Sequence, residues 1–345
     1  MSSTLASLEI ESPVRPLLKP RLGFLGTGWI GRNRMQAIAA TGLGEIVAIA
    51  DSVTANAVEA VRFAPGAEQV DGLEELLELD LDGIVIATPS ALHAEQAIQC
   101  LENDVAVFCQ KPLARTRAET DRVIHAAKKS NQLLAVDLSY RFTSGAQKMK
   151  RLIEHGELGK IFAIDLVFHN AYGPDKPWFY DYNLSGGGCL IDLGIHLVDL
   201  AYWLLGTDSP GEVHGSLYSQ GRKLKPAEPQ VEDYAVAQVE LHNGITVNLA
   251  CSWKISAGRD AVISAAVYGT QGGVKLENVN GSFYEFQAEQ FRGTHREVLA
   301  SGSEEWGGRA AIDWLKRLSE GARYDHQVEQ LIRVAGTLDA IYGRE

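Results

Sequence analysis

The sequence lacks the features that mark several common classes of protein. Its 345 residues carry a net charge of −12 without a stripe of basic residues, so nucleic acid is a poor candidate partner. The cysteines form no C-x-x-C pair, which argues against a disulfide framework and a structural zinc site. No continuous apolar run approaches the ~20 residues that cross a bilayer. We therefore expect a globular, cytoplasmic protein with reduced thiols, no metal ion and no membrane partner. The cysteines are Cys100, Cys109, Cys189 and Cys251.

The N-terminus and the chain length indicate the domain organisation. Residues 1–20 contain no apolar segment of the kind found in signal peptides, so we expect a loose N-terminal tail. At roughly 100–200 residues per domain, the rest of the chain is long enough for two domains. The pattern of apolar residues changes near Tyr140. We therefore expect one domain over residues 21–140 and another over residues 141–345.

Residues 21–140 alternate short apolar runs with amphipathic stretches. The runs are apolar throughout, as expected of strands that are buried on both faces of a parallel sheet. Regular alternation of strand and helix predicts an α/β fold with a doubly wound parallel sheet. The predicted strands are RLGFLG, EIVAIAD, GIVIAT, VAVFCQ and LLAVDLS.

Residues 141–345 show a different pattern. Helices are predicted at GAQKMKRLIEHG, from about Cys189 to Leu205, and at roughly 305–320 and 325–342. Longer alternating segments lie between these helices, and LHNGIT predicts a hairpin because Asn-Gly separates two such runs. We expect an α+β domain with a large, mostly antiparallel sheet. Its predicted strands include EVHGSLYSQ, AVISAAVYGT, GGVKLEN and GSFYEFQ.

The segment GTGWIG follows the first predicted strand and precedes the first predicted helix. Gly26 permits a tight turn, Gly28 lets the backbone approach a pyrophosphate, and Gly31 lets the helix pack closely on the strand. Phosphates would lie at the N-terminus of this helix. Asp51 stands 20 residues after Gly31 and would bind the ribose, which favours NAD over NADP. Arg32 and Arg34 are near, which keeps NADP as an alternative. A glycine turn without a nucleotide is the other alternative, and the strand–loop–helix context disfavours it.

Two further segments carry candidate chemistry. Lys111 ends the strand of VAVFCQKPLA, at the edge where open parallel sheets bind ligands. Asp192 and His196 lie four residues apart in GGGCLIDLGIHLVDLAYWLLG, on one face of an apolar helix, and are costly to bury unpaired. The alternatives are a solvated lysine and a hydrogen-bonded core histidine. A metal pair is weakly indicated because no further ligand is evident.

Together these segments resemble the Gfo/Idh/MocA family of oxidoreductases, from about Arg21 to the C-terminus. The resemblance rests on GTGWIG, on CQKP where the family usually has E-K-P, and on GGGCLIDLGIHLVDL, which is similar to G-G-x-x-x-D-x-G-x-H-x-x-D. SYRF and GELGKI are also similar to family segments. Gln110 is a departure, because a neutral amide replaces the acid: its hydrogen bonding can survive but the charge is lost.

The resemblance implies an NAD(P)-binding Rossmann domain followed by a domain whose open sheet commonly forms homodimers or homotetramers. It implies hydride transfer between a nicotinamide cofactor and a secondary alcohol or ketone of a sugar, sugar derivative or cyclitol such as inositol. The family's catalytic residues map onto Lys111, Asp192 and His196. The peptide bond before Pro112 is often cis in relatives.

These residues suggest a mechanism for alcohol oxidation. His196, with an unperturbed pKa of ~6.5, would accept the hydroxyl proton, and Lys111 would stabilise the negative charge that develops on the oxygen. Asp192 would orient the hydroxyl or the lysine. Two other functions stay open, a non-catalytic dinucleotide sensor and an enzyme that retains NAD for a transient oxidation.

The remaining assignments cover the two ligands. Aromatic and polar residues after the last predicted strand of the first domain, and in the loop that follows, suit a sugar pocket. For each of them, packing of the loop is the alternative. The substrate residues are Tyr140, Arg141, Asn170, Asp175 and Trp178. The cofactor residues, for NAD or NADP, are Gly26, Gly28, Trp29, Ile30, Gly31, Asp51, Thr88, Pro89, His93 and Lys111.

Overall fold

The computed structural model describes residues 19–206 and 210–344. The predicted tail over residues 1–20 therefore lies almost entirely outside the described residues. The described chain forms a sheet of six strands and a sheet of nine strands, each with its own helices.

The first sheet is the predicted doubly wound sheet. Its elements alternate along the chain as β1 Arg21–Leu25, α1 Trp29–Thr41, β2 Glu45–Ala50, α2 Thr54–Val61, β3 Glu68–Val70, α3 Leu73–Glu78, β4 Gly83–Ile86, α4 Ser90–Glu102, β5 Ala106–Cys109, α5 Arg117–Ser130 and β6 Leu134–Val136. All strand pairs are parallel, in the order β3-β2-β1-β4-β5-β6. The order reverses between β1 and β4, and ligands of such sheets bind at that point, beyond the carboxyl ends of the strands.

One strand of this sheet, β3, is missing from the sequence prediction. It contains three residues at the edge of the sheet, and Glu68 and Gln69 are exposed. So short and polar an edge strand leaves no apolar pattern to detect. In contrast, β4 and β5 lie inside the sheet and are buried at every position, as their composition predicts.

The second sheet belongs to the C-terminal region. The elements of this region are α6 Ser144–Glu154, β7 Ile161–Asn170, α7 Tyr182–Ser185, α8 Ile195–Leu205, β8 Pro210–Ser219, β9 Arg222–Lys223, β10 Tyr234–Leu241, β11 Thr246–Ser252, β12 Ala261–Gly269, β13 Gly272–Asn278, β14 Phe286–Arg292, β15 His295–Ala300, α9 Arg309–Ser319 and α10 Gln330–Tyr342. The strand order is β15-β14-β13-β12-β7-β11-β10-β8-β9. Only the β7–β11 pair is parallel among the described pairs, which confirms a mostly antiparallel sheet. The Asn-Gly hairpin is also confirmed, between β10 and β11.

The prediction for this region is wrong at two element boundaries, and it misses one strand. Strand β14 begins at Phe286 and not at Gly281, because Gly281 has φ +82° and the chain turns there. Strand β15 is not predicted, and its first four residues are exposed at the sheet edge. Helix α9 begins at Arg309, after two glycines, and not at about residue 305.

Helix α8 forms the centre of the second core and continues a π-helical segment, Leu190–Gly194. The stretch Tyr182–Leu205 is long and apolar enough to cross a membrane by composition, but 83% of its most apolar window is buried inside the protein. It is therefore placed as a core helix. Helix α9 returns to the first sheet, where the buried Trp314 ring lies 5.8 Å from Phe108. The domain boundary at residue 140 stays a prediction.

Candidate active site

A cavity of about 1410 Å³ lies along the carboxyl-terminal edge of the first sheet and extends to the second region. One small-molecule pocket usually occupies ~300–1,000 Å³, so this cavity has room for a dinucleotide and a second ligand. One residue just after each strand of the first sheet lines this cavity. These residues are Gly26, Asp51, Asp71, Thr88, Lys111 and Asp137.

The glycine loop is shaped by close backbone contacts. Gly26 has φ +87°, and a Cβ on Gly31 would lie 2.2 Å from the carbonyl oxygen of Gly26, so both positions require glycine. A Cβ on Gly28 would meet nothing within 4 Å, because this residue faces the cavity at the start of α1. Trp29 and Ile30 also line the cavity, whereas Gly31 packs behind it.

Asp51 holds the glycine loop in place. Its Oδ2 accepts the backbone N–H of Thr27 at 2.6 Å, and its Oδ1 accepts the backbone N–H of Val53 at 2.8 Å. The carboxylate lines the cavity, and it also accepts the Thr27 hydroxyl at 3.1 Å and the Asn56 amide at 3.3 and 3.4 Å. Asp51 therefore both fixes the loop and faces the predicted ribose position.

Thr88, Pro89 and His93 line the same part of the cavity, after β4. The His93 ring nitrogens lie 2.7 Å from the carbonyl oxygens of Pro112 and Thr88. Burial lowers the pKa of His93, and the charge of the nearby Lys111 lowers it further. The hydrogen bonds to the two carbonyls raise it, but the net shift is downward. Because both nitrogens face backbone, His93 joins the loops after β4 and β5 and could meet a cofactor only through its ring face.

Lys111 and Asp192 come together across 81 residues of chain. The Lys111 ammonium donates to the side-chain Oδ1 and to the backbone oxygen of Asp192, each at 2.6 Å. The Lys111–Pro112 peptide bond is cis. The indole N–H of Trp253 donates to the other carboxylate oxygen of Asp192 at 3.0 Å. Trp253 was not predicted, because nothing in the sequence links it to an acid 61 residues earlier.

A buried carboxylate fixes the segment that carries Asp192. Glu232 accepts the backbone N–H groups of Gly188 and Leu190 at 2.8 Å and the hydroxyl of Tyr342 at 2.9 Å. A Cβ on Gly188 would lie 1.8 Å from the carbonyl oxygen of Glu232. Close packing therefore requires glycine at position 188. Burial raises the pKa of Glu232, although the hydrogen bonds that it accepts lower it.

His196 lies one helical turn after Asp192 and also lines the cavity. It is buried, its Nδ1 has no hydrogen-bond partner among the described residues, and its ring packs 4.9 Å from the Tyr140 ring. Burial holds the pKa of His196 well below 6.5, and the positive charges of Lys111 and Arg34 lower it further. The imidazole is therefore neutral near neutral pH and able to accept a proton.

An acid lies beside Gln110 even though Gln110 itself is neutral. Its amide donates to Asp137, which follows the neighbouring strand β6 and also accepts from the Arg34 guanidinium at 2.5 Å. Arg34 and Asp137 are both buried. The carboxylate beside Gln110 therefore comes from Asp137. The family pattern at position 110 alone does not indicate this residue.

The structure brings three of the five predicted substrate residues to the cavity, namely Tyr140, Asp175 and Trp178. Arg141 and Asn170 are not brought there. The Arg141 guanidinium is bound to Asp199, with Nε to Oδ2 at 2.7 Å. Asn170 accepts the backbone N–H of Tyr172 within its own turn, at 2.8 Å.

Two family models match the chain. Residues 20–138 match the oxidoreductase family with an NAD-binding Rossmann fold, and residues 146–275 match the GFO/IDH/MocA C-terminal domain. Together the two matches span more than half of the chain.

Curated relatives and solved structures agree with these matches. Glucose-6-phosphate 3-dehydrogenase of Bacillus subtilis is 29% identical over 269 residues, which cover 76% of this chain and 76% of that protein. D-Glucoside 3-dehydrogenase of Escherichia coli is 28% identical over 243 residues, or 67% of this chain and 69% of that protein. The structure of levoglucosan dehydrogenase with NADH and L-sorbose has the same fold, with a TM-score of 0.81 at 24% identity over 94% of this chain and 96% of that one. The chain belongs to the Gfo/Idh/MocA family of NAD(P)-dependent oxidoreductases.

Proposed function

We propose that this protein oxidises a secondary hydroxyl of a sugar, sugar derivative or cyclitol by hydride transfer to NAD, or catalyses the reverse reduction. The contact between Lys111 and Asp192 carries this proposal, because it joins the sheet that bears the glycine loop to the second region inside one cavity. The names of the relatives, which include dehydrogenases of glucose derivatives and of inositol, support the substrate class.

The cofactor end of the cavity suits a dinucleotide. The open space at Gly28 lets a pyrophosphate approach the N-terminus of α1, where free N–H groups favour negative charge. Asp51 would bind the ribose hydroxyls and would repel a 2′-phosphate, so we propose NAD as the preferred cofactor. When it is bound, the nicotinamide ring supplies the hydride acceptor.

Three residues at the other end would perform the proton chemistry. His196 takes the proton of the reacting hydroxyl, and its lowered pKa keeps it neutral for that task. Lys111 donates a hydrogen bond to the same oxygen and stabilises its negative charge as the hydride leaves. Asp192 holds the Lys111 ammonium in position, and Trp253 holds Asp192. In the reverse direction His196, once protonated, returns the proton.

We also propose that the protein works in the cytoplasm as a homodimer or homotetramer, without nucleic acid or membrane partners. The outer face of the second sheet carries exposed apolar side chains, among them Val236 and Tyr268, which supports association through that face. The mass of the purified protein in solution tests this part of the proposal.

Formation of reduced cofactor tests the proposed function. The purified protein is mixed with NAD, and in parallel with NADP, across a panel of inositols, aldoses and sugar acids. We expect NADH formation with at least one polyol or sugar and slower or no reaction with NADP. A blank panel, with NAD binding demonstrated by calorimetry, would contradict the proposal and favour a sensor or an enzyme that retains its cofactor.

A further inference from the structure

We call the part of the cavity that is lined by residues after Asp137 its substrate half. It is lined by residues of segments 174–179, 191–196 and 303–308, together with Tyr140 and Tyr284. The Tyr140 ring lies 4.9 Å from the His196 ring and 5.0 Å from the Trp306 ring, so these segments surround one space.

Acidic groups outnumber basic ones around the whole cavity. The lining contains seven carboxylates and three Lys or Arg side chains. The carboxylates are Asp51, Asp71, Asp137, Asp175, Asp192, Glu304 and Glu305, and the basic residues are Arg34, Lys111 and Lys176.

Each of the three basic side chains already has an acidic partner. Arg34 is paired with Asp137, and Lys111 with Asp192, both in buried or largely buried surroundings. Lys176 lies 3.2 Å from Asp175 in an exposed pair, which is the weakest of the three. An anionic ligand in the substrate half would therefore compete with a carboxylate for each of these cations.

The acids around segment 303–308 act against a negative ligand. Glu304 is bound by Arg309 at 2.7 Å and by Ser144, whereas Glu305 is exposed and has no ion pair among the described residues. Helix α9 begins at Arg309, directly after this segment, and the Arg309 guanidinium is held by Glu304. A phosphate or carboxylate placed beside Glu305 would meet a negative charge that no ion pair among the described residues offsets.

An uncharged polyol fits the same surroundings. The rings of Trp178 and Phe179 are stacked at 3.8 Å between centroids and line the cavity, and they offer apolar faces to a sugar. Carboxylates that line the same cavity, such as Asp175 and Asp192, are acceptors for hydroxyl groups. Binding of hydroxyls requires no further positive charge.

We infer that the substrate of this protein carries no negative charge, which makes it a neutral sugar or cyclitol and not a sugar phosphate, sugar nucleotide or sugar acid. This inference rests on the proposed dehydrogenase function and narrows it. Family membership does not decide the point, because the relatives include both a glucose-6-phosphate 3-dehydrogenase and a D-glucoside 3-dehydrogenase.

Matched pairs of substrates test the inference. The value of kcat/KM is measured with NAD for glucose against glucose 6-phosphate and glucuronate, and for myo-inositol against its 1-phosphate, at low and high salt. We expect the neutral member of each active pair to be preferred by about tenfold or more, with a smaller gap at high salt because salt screens the repulsion.

Equal or faster oxidation of the anionic member overturns the inference but leaves the dehydrogenase function. A gap that salt does not change also overturns it. No turnover with any compound of the wider panel, while NAD binds, overturns the proposed function and, with it, this inference.

A charge reversal provides the second test. The substitution Glu305→Lys adds a cation to the substrate half and should raise the ratio of kcat/KM for anionic over neutral substrates by about threefold to tenfold. The matched control is Glu102→Lys, because Glu102 ends α4 at the opposite end from the cavity residue Ser90. The control should leave the ratio unchanged. An unchanged ratio in Glu305→Lys would overturn the inference.

Discussion

The two ends of the cavity are built in different ways. The cofactor end is made largely of backbone, and its glycines and Asp51 lie within one strand–helix–strand unit. The chemical end is made of side chains, since Lys111 meets Asp192 across 81 residues and Asp192 meets Trp253 across 61. A backbone site is sensitive to an added Cβ, whereas a side-chain site is sensitive to the loss of a polar group. Substitutions should therefore separate cofactor binding from chemistry.

The largest effect is expected at the chemical end. The substitution Lys111→Ala removes the group that would stabilise the negative charge on the substrate oxygen, so kcat should fall by about 10³-fold. The affinity for NAD, measured by calorimetry, should change by less than about threefold, because the glycine loop is untouched. The exposed Lys129, replaced by alanine, is the control. A variant with near-normal kcat would remove Lys111 from the mechanism.

The reverse pattern is expected at the cofactor end. The substitution Gly28→Ala adds a Cβ that meets no protein atom within 4 Å, so the melting temperature should not change. The same Cβ would obstruct the pyrophosphate and weaken NAD binding by about 10²-fold. Gly66→Ala adds a Cβ to equally open space outside the cavity and serves as the control. Unchanged affinity in Gly28→Ala would mean that the phosphates lie elsewhere.

A smaller effect is expected from the group behind Asp192. The substitution Trp253→Phe keeps an aromatic ring but removes the N–H that donates to Asp192. The loss of one hydrogen bond to a carboxylate should lower kcat/KM by about tenfold and leave NAD affinity unchanged. Trp203→Phe, at a half-buried position elsewhere, is the control. If both variants behave alike, Trp253 only packs against its neighbours.

The pair formed by Gln110 and Asp137 gives a further contrast. The substitution Gln110→Glu replaces the amide donor with a second carboxylate beside Asp137, so kcat/KM should fall by about threefold to tenfold. Adding Asp137→Asn restores a donor and a single negative charge, and should recover most of the loss. Improved activity in the single variant would show that the charge at position 137 does not replace that of a glutamate at position 110.

The smallest effect concerns pH. The pKa of His196 is lowered by burial and by the nearby Lys111 and Arg34, so its neutral form persists as the pH falls through 6.5. In the direction of alcohol oxidation, kcat/KM should change by less than about twofold between pH 7.5 and 6.0. A loss of activity centred at the unperturbed value of ~6.5 would mean that the base is a more exposed group.

The same contrast explains what the sequence could predict. The glycine loop and Asp51 form a local pattern, so their placement followed from spacing alone. Lys111 was singled out by its place at a strand end, and Asp192 and His196 by their spacing on one helix. Their catalytic roles came from a family resemblance, because the contact between Lys111 and Asp192 leaves no local signal. Trp253 and Glu232 were missed for that reason. The hydrogen bond from Gln110 to Asp137 was also missed, because nothing in the sequence around Gln110 indicates an acid after the next strand.

Some errors arose because a residue type was taken for a ligand contact. Arg141 follows β6 at the correct sheet edge, but its guanidinium is bound to Asp199 and not directed to the cavity.

Edge strands β3 and β15 were missed because exposed residues carry no apolar alternation. Sequence patterns therefore predicted the buried parts of the fold better than its edges.

The central claim is that hydride passes directly between a neutral sugar or cyclitol and NAD in this cavity. The most direct measurement uses the best substrate of the panel with deuterium on all its carbon atoms, followed by mass spectrometry of the reduced cofactor. Direct hydride transfer predicts that the NADH formed carries one deuterium. Unlabelled NADH, or substrate that is changed while no NADH leaves the protein, would contradict it.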